Sequence, residues 1–298
     1  MLRNRKVQAG AAIFALCVLG AVLGPWFTTH VLGSDPNTLD YLEVNKPPST
    51  GHLLGTTASG EDVLAQVIAG SRGSLLVGVV SALIGTGLAI VFGVTAGFFG
   101  GWVDTVLNFV TNLFIVMPVF ALTLVVAGYA ENISAPAIAV IVGVFGWAGG
   151  ARTLRAQTLS LRNRDFAHAA RMLGESRLRM VFVEVFPLLS GWVFAMFLHA
   201  LIGGVLAEAG LAFLGVSDLN NPSWGTMIQN AQEQNAILNG QWWWFVPPGL
   251  CIAALGTATG LINFGIDEIA NPRLADARTQ RKAARRTSVK PAPSPIRP

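Results

Sequence analysis

Few residues of this chain have side chains that could do chemistry, and none stands in a spacing that would make it work. His30, His52, His168 and His199 are scattered, with no H-E-x-x-H and no metal-ligand spacing. Only four lysines are present, and none completes G-x-x-x-x-G-K-[ST], so no loop cradles a phosphate. No G-x-S-x-G elbow offers a nucleophile. Cys17 and Cys251 stand apart, without a C-x-x-C. This inventory argues against an enzyme acting alone, and it predicts no metal and no cofactor on this chain.

Acids are as sparse. A proton- or ion-coupled carrier usually places ionisable groups at mid-membrane depth. Here Asp104, Glu131, Glu184 and Glu208 all fall near the ends of apolar intervals. Glu208, in "VLAEAGLAFLG", is the deepest, and it reads either as a helix-packing acid or as part of a gate. Pro118, in "FIVMPVFAL", carries the same two readings. His199 reads as a packed, hydrogen-bonded residue rather than a ligand.

The exception to this poverty is "DFAHAARMLGESRLRMVFVEVFP", residues 165–187, where arginines and acids crowd together. As a helix, it places Phe166, Ala169, Ala170 and Leu173 at i, i+3, i+4 and i+7, one apolar stripe. Arg164, His168, Arg171 and Glu175 cover the remainder. Asn163 or Asp165 can cap the start, and Gly174 suits a left-handed closing turn. Two adjacent alanines make a shallow face that admits another protein's side chains. Pro187 falls near the start of the next apolar interval, where a missing N–H costs least. The pattern alone leaves two readings open, a docking helix or an amphipathic connector lying on a membrane surface.

The elements around this stretch follow from charge. The chain is 52% hydrophobic and 12% charged over 298 residues, and its charges are segregated. Intervals 7–34, 73–103, 105–130, 132–151, 185–207 and 234–266 contain no Asp, Glu, Lys or Arg. About 20 apolar residues of helix cross a hydrocarbon core of about 30 Å. The fold class is therefore an all-α membrane protein with six transmembrane helices. If the N-terminus is inside, the inner side collects Arg3, Arg5 and Lys6, the seven arginines of 152–179, and every basic residue from Arg273 on. The outer side receives only Lys46 and Arg72. That asymmetry predicts cytoplasmic N- and C-termini. It also accounts for the +4 net charge without a nucleic-acid partner. A signal peptide at the start would need a small-residue cleavage site, and the apolar run instead continues through Trp26 and Phe27.

The expected organisation is a transmembrane helix over 1–30, an extracytoplasmic segment over 31–71, a transmembrane domain over 72–270 with a cytoplasmic loop at 152–184, and a cytoplasmic tail over 271–298. Within the outer segment, "EDVLAQVIAG" reads as an amphipathic turn or two. Trp242, Trp243 and Trp244 open the last crossing, where indoles prefer the membrane interface.

"HAARMLG", followed by Pro187, resembles the E-A-A-x-x-x-G…P loop of ABC-importer permeases. "GHLLGTTASGEDVLAQVIAGSRGSLLVGVVS" is similar to the H-x-L-G-T-D-x-x-G-R-D-V-x-S-R-x-x-x-G-x-R-x-S-L-x-V-G segment of the oligopeptide/dipeptide permease family. "GFFGGWVDTVLNFVTNLFIVMPVFAL", "LAEAGLAFLGVS", "NPSWGTMI" and "WWWFVPPGLCIAALGTATGLINFGIDEIANPRL" resemble successive blocks of the same family, in order, over about 50–275. The single outer segment and the ending resemble the C-type subunit. His168 stands where the family usually has Glu, which removes a negative charge from the loop. Ala58 and Glu61 likewise depart from the usual acidic or amide residue and Arg.

The resemblance implies a type I (MetI-like) ABC importer permease in a bacterial or archaeal cell membrane. Its implied partners are a second permease in a heterodimer, two cytosolic ABC ATPases that carry the ATP and Mg, and an extracytoplasmic substrate-binding protein. Phe166, His168, Ala169, Ala170, Leu173, Gly174 and Pro187 would form the ATPase-coupling loop. Asp62 and Trp224 would contact the binding protein. Peptides are the commonest cargo of the family, with oligosaccharides and nickel as alternatives. An ion-coupled carrier is the alternative from another class.

Overall fold

In lipid a backbone has only itself to satisfy its N–H and C=O groups, so an apolar chain without a closed barrel must cross as helix. The computed structural model describes residues 5–33, 38–129, 133–216 and 222–270, and among them there are helices and no strands. The expected tail at 271–298 lies outside the described residues, as does Glu131. Helix α1 (Arg5–Phe27) ends in a π-helical turn, and α2 runs over Val63–Phe99. Next come α3 (Gly101–Val116), α4 (Val119–Gly128), α5 (Ala135–Gly146) and α6 (Ala148–Arg162). A short α7 (Asp165–Met172) and a single turn α8 (Arg177–Arg179) come next, then α9 (Phe186–Phe213), α10 (Trp224–Glu233) and α11 (Trp242–Ala270).

The six charge-poor intervals fall on four long helices and two bent pairs. Helices α3 and α4 meet at 73°, and α5 and α6 at 43°. The sharper bend lies at Met117-Pro118, where both residues take extended ψ angles (128° and 92°). A proline cannot supply the N–H that would carry α3 on into α4.

Two local readings near the α10 end are refined by the structure. Residues 63–71, expected to belong to the outer segment, are the first turns of α2. Asp62 starts that helix early, its Oδ1 accepting from the Ala65 N–H at 2.9 Å. Val63 and Val67 are then buried against Met227, Ala231, Ala236 and Trp244. Burial of one face, rather than exposure of an amphipathic turn, makes the segment helical. Of the three expected interface tryptophans, Trp242 is 53% exposed but Trp244 is only 3% exposed. The Trp243 indole N–H donates to the Thr56 carbonyl at 3.2 Å, so this end is tied down by the 38–62 segment.

Helix α2 touches α1, α3, α5, α6, α9, α10 and α11 and is the axis of the bundle. Its small residues allow this. A methyl group on Gly93 would lie 2.5 Å from the Ala151 carbonyl oxygen, and one on Gly78 would lie 2.9 Å from the Leu201 carbonyl oxygen. With little hydrophobic drive between helices in lipid, such close approach supplies the packing that holds them. Away from α10, the Arg155 guanidinium binds Asp104 in a two-pronged pair at 2.5 and 2.7 Å, joining α6 to α3.

Candidate functional site

At the end of the bundle away from α10, α6 stops at Arg162 and the chain reverses into α7. Arg164, in extended conformation, is the N-cap and offers no side-chain bond. The expected caps are therefore corrected: Asn163 closes α6 and Asp165 is the first residue inside α7. The reversal at 163–164 leaves only the Arg164 carbonyl to start the helix, accepting from Ala167 and His168 N–H groups at 3.0 and 3.2 Å. Asp165 still favours the helix start by its charge near the free N–H groups. At the other end Gly174 has φ +77° with nothing within 4 Å of a would-be Cβ. The Glu175 N–H reaches back to the Ala170 carbonyl at 3.2 Å, closing the turn. Gly174 is there for its backbone angle, since the space around it is open.

The expected apolar stripe divides in the structure. Ala167 is fully buried, and Phe166 and Ala170 pack beside it on Val94, Phe98, Met180, Val181, Val185 and Leu189. Ala169 and His168 face outward, Leu173 is 85% exposed, and Met172, not predicted, is 91% exposed. Residues 169, 172 and 173 form a second i, i+3, i+4 set next to the first. Only burial distinguishes the set that holds α7 from the set that projects.

Pro187 falls in the first turn of α9, as expected, but α9 continues directly from the helical turns before it. Residues Arg177–Phe213 form one span of 37 residues, with a π-helical stretch, Met180–Val185, immediately before Phe186. In a straight α-helix the Pro187 ring would press on the carbonyl four residues back. The wider π turn removes that collision and lets the rod continue. The rod thus carries the packing behind α7 into the membrane without a loop.

Beyond this lies a cleft of about 860 Å³ walled by α2, α4, α5, α6, α9 and α11. Phe120, Trp192 and Leu206 in its wall are 45, 46 and 54% exposed. No lining residue is charged, and seven are glycines. The polar side chains it offers are hydroxyls, the Asn263 amide, the tryptophan indoles and the His199 imidazole. The Thr86 hydroxyl and the Asn263 Oδ1 are buried with no partner among the described residues. His199, expected to be packed and hydrogen-bonded, is exposed to this cleft instead. It lies on the face of α9 that lines the cleft, with Trp192 and Met196 of the same helix. Such a surface can pass a solute by hydrogen bonds and apolar contact, and no carboxylate lines it to hold an ion. Pro118 stands directly before Val119 and Phe120 of the cleft wall, so the α3–α4 bend positions them.

Glu208 is 2% exposed and bound on both oxygens. Ser223 donates to Oε1 at 2.6 Å and Ser74 to Oε2 at 3.4 Å. Ser74 in turn accepts the Trp224 backbone N–H at 3.1 Å, while Ser223 and Thr226 form a capping box on α10. The acid therefore ties α2, α9 and α10 together, which favours packing over gating. Trp224, expected to be an outer contact, is corrected: it is 1% exposed, with its indole N–H on the Val67 carbonyl at 3.0 Å. Asp62 is also internal, its side chain 10% exposed and its Oδ2 bonded to His52 Nδ1 at 2.7 Å. In the sequence both stand out only as polar or aromatic residues in turn-rich regions, and the structure uses them as fastenings.

Comparison with known proteins agrees on one family. Residues 89–276 match the family model described as "Binding-protein-dependent transport system inner membrane component". The chain is 33% identical over 274 residues to an oligopeptide transport system permease protein, OppC, of Mycobacterium tuberculosis, covering 91% of each. It is 28% identical over 274 residues to the dipeptide transport system permease protein DppC of Bacillus subtilis, covering 91% of this chain and 83% of that one. A Lactococcus lactis OppC is 30% identical over 243 residues, with 79% and 82% covered.

Proposed function

The chain belongs to the family of binding-protein-dependent transport system inner membrane components, and on that premise we propose that it forms half of the membrane passage of a peptide importer driven by ATP. It is a multi-pass, non-catalytic permease subunit, and the family implies ATPase and binding-protein partners. Our reading adds a second, different permease to complete the cleft, and two ATPase subunits that carry the ATP and Mg while this chain carries no cofactor. The α7 end then faces the cytoplasm of a bacterial or archaeal cell, together with both termini. The α10 end faces outward, where the 38–62 segment and the chain around α10 meet the loaded binding protein.

The observation that carries the reading is the projecting edge of α7. Ala169, Met172 and Leu173 are apolar and exposed, on a helix seated in the core by the buried Ala167. A groove on an ATPase would cover this edge, and closure of the ATPase pair would move α7 with the α8–α9 rod. ATP shifts the passage only if the seating contacts differ in free energy between its two states. The lining of the cleft, without Asp, Glu, Lys or Arg, suits peptides, whose backbone groups seek hydrogen bonds irrespective of sequence, better than a metal ion.

The test is uptake of labelled peptide into proteoliposomes holding this chain, the second permease and both ATPases, with binding protein added outside the α10 face. Uptake should require ATP on the α7 side and binding protein on the other. Uptake that persists without the ATPases would overturn the proposal in favour of a carrier. The variant Gly174→Val, strained at φ +77°, should lower ATP-driven uptake while the chain still inserts.

A further inference from the structure

A second groove, of about 570 Å³, runs between α1 and α2 on the surface of the bundle. Its walls include Phe14, Val22 and Trp26 of α1 and Arg72, Leu76 and Val79 of α2. The helices run antiparallel and nearly touch towards the α10 end, where a methyl on Gly24 would lie 2.7 Å from the Ile68 Cγ2. Arg72 is the wall residue of α2 nearest that end, and every other residue lining the groove is apolar.

Four observations specify an occupant. Arg72 is exposed and makes no ion pair or hydrogen bond among the described residues. An unpaired guanidinium beside apolar surface favours a phosphate, which it can grip with two N–H groups. No carboxylate lines the groove to attract the ammonium of a zwitterionic headgroup. Trp26, 59% exposed and stacked on His30, marks the interfacial depth at that same end. From Phe14 to Trp26 the groove follows α1 for about 18 Å at 1.5 Å per residue. That is close to one leaflet of a hydrocarbon core of about 30 Å.

We infer that this groove binds an anionic phospholipid, with one acyl chain along Phe14, Val22 and Val79 and the headgroup phosphate on Arg72. The site is separate from the cleft, and it stands whether or not the passage carries peptides. Basic pockets between membrane helices bind acidic headgroups on the same physical grounds. One cation near the membrane surface contributes about a fivefold preference.

The experiment purifies the chain with its copurifying subunits from nanodiscs of equal phosphatidylglycerol and phosphatidylcholine, and counts retained lipids by native mass spectrometry. The wild type should retain phosphatidylglycerol over phosphatidylcholine by about fivefold. Arg72→Gln should retain both lipids equally. Leu76→Trp, which fills the groove but keeps the charge, should lose the retained lipid altogether. Helix content by circular dichroism confirms that each variant is folded. Retention by Arg72→Gln at the wild-type ratio would overturn the site. Equal retention of the two lipids by the wild type, or none because a partner's helix occupies the groove, would overturn it as well.

Discussion

Truncating Leu173 to alanine separates docking from folding. Leu173 is 85% exposed, so the variant removes almost nothing from the packing of this chain. Surface substitutions of this kind usually change stability by less than about 0.5 kcal/mol. If an ATPase covers Leu173, the change deletes about three buried carbon groups at about 0.8 kcal/mol each. The loss, about 2 kcal/mol, corresponds to roughly thirtyfold weaker ATPase binding. Met172→Ala, at a position 91% exposed, should behave alike. Ala170→Arg should do the reverse, because Ala170 packs against the cluster beneath α7. A long charged side chain there strains the fold by about 1–3 kcal/mol before any partner arrives. Both quantities are measurable on permease in nanodiscs, the ATPase affinity by surface plasmon resonance and the stability by thermal unfolding without ATPase. An unchanged affinity for Leu173→Ala would refute the reasoning, as would a large drop in its thermal stability.

Further substitutions probe the fastenings. Glu208→Ala strands the Ser74 and Ser223 hydroxyls in a buried site and should cost about 2–3 kcal/mol in thermal unfolding. Glu208→Gln keeps an acceptor for Ser223 and should cost less than half as much. Gly93→Val forces α2 away from the Ala151 carbonyl and should destabilise by about 1–3 kcal/mol, read by unfolding or by loss from the membrane fraction. Trp224→Phe removes the bond to the Val67 carbonyl and should lower stability by about 1–2 kcal/mol. A true contact residue at that position would instead change binding-protein affinity and leave stability alone.

How much of this was legible in the sequence depended on which force set each feature. Crossings are set by desolvation of whole segments, and the absence of charge over 20 or more residues marks all of them. The closing turn of α7 was legible for a similar reason, since Gly174 answers a backbone requirement that few residues meet. Sidedness was not legible. Phe166 and Ala170 face the core while Met172 and Leu173 face out, and a helix of eight residues carries two equally plausible stripes. The Glu208 network was hidden because its partners lie 134 and 15 residues away, at spacings that no local pattern encodes. His199 reads as packed because its sequence neighbourhood is apolar, and such a neighbourhood can line a cleft as readily as a core.

The length of α2 has a consequence of its own. Its 37 residues amount to about 55 Å at 1.5 Å per residue, well beyond the hydrocarbon thickness, with no proline along the way. Val63 and Val67 are embedded in the cluster under α10, and Val94 and Phe98 in the cluster under α7. One beam is therefore packed into a cluster at each end, with Gly78 and Gly93 pressed against their neighbours in between. If partners at the two ends each favour the same tilt of this beam, each raises the affinity of the other by the same factor, because linkage is reciprocal. No relay of side chains across the bilayer is needed for each face to register what has bound at the other.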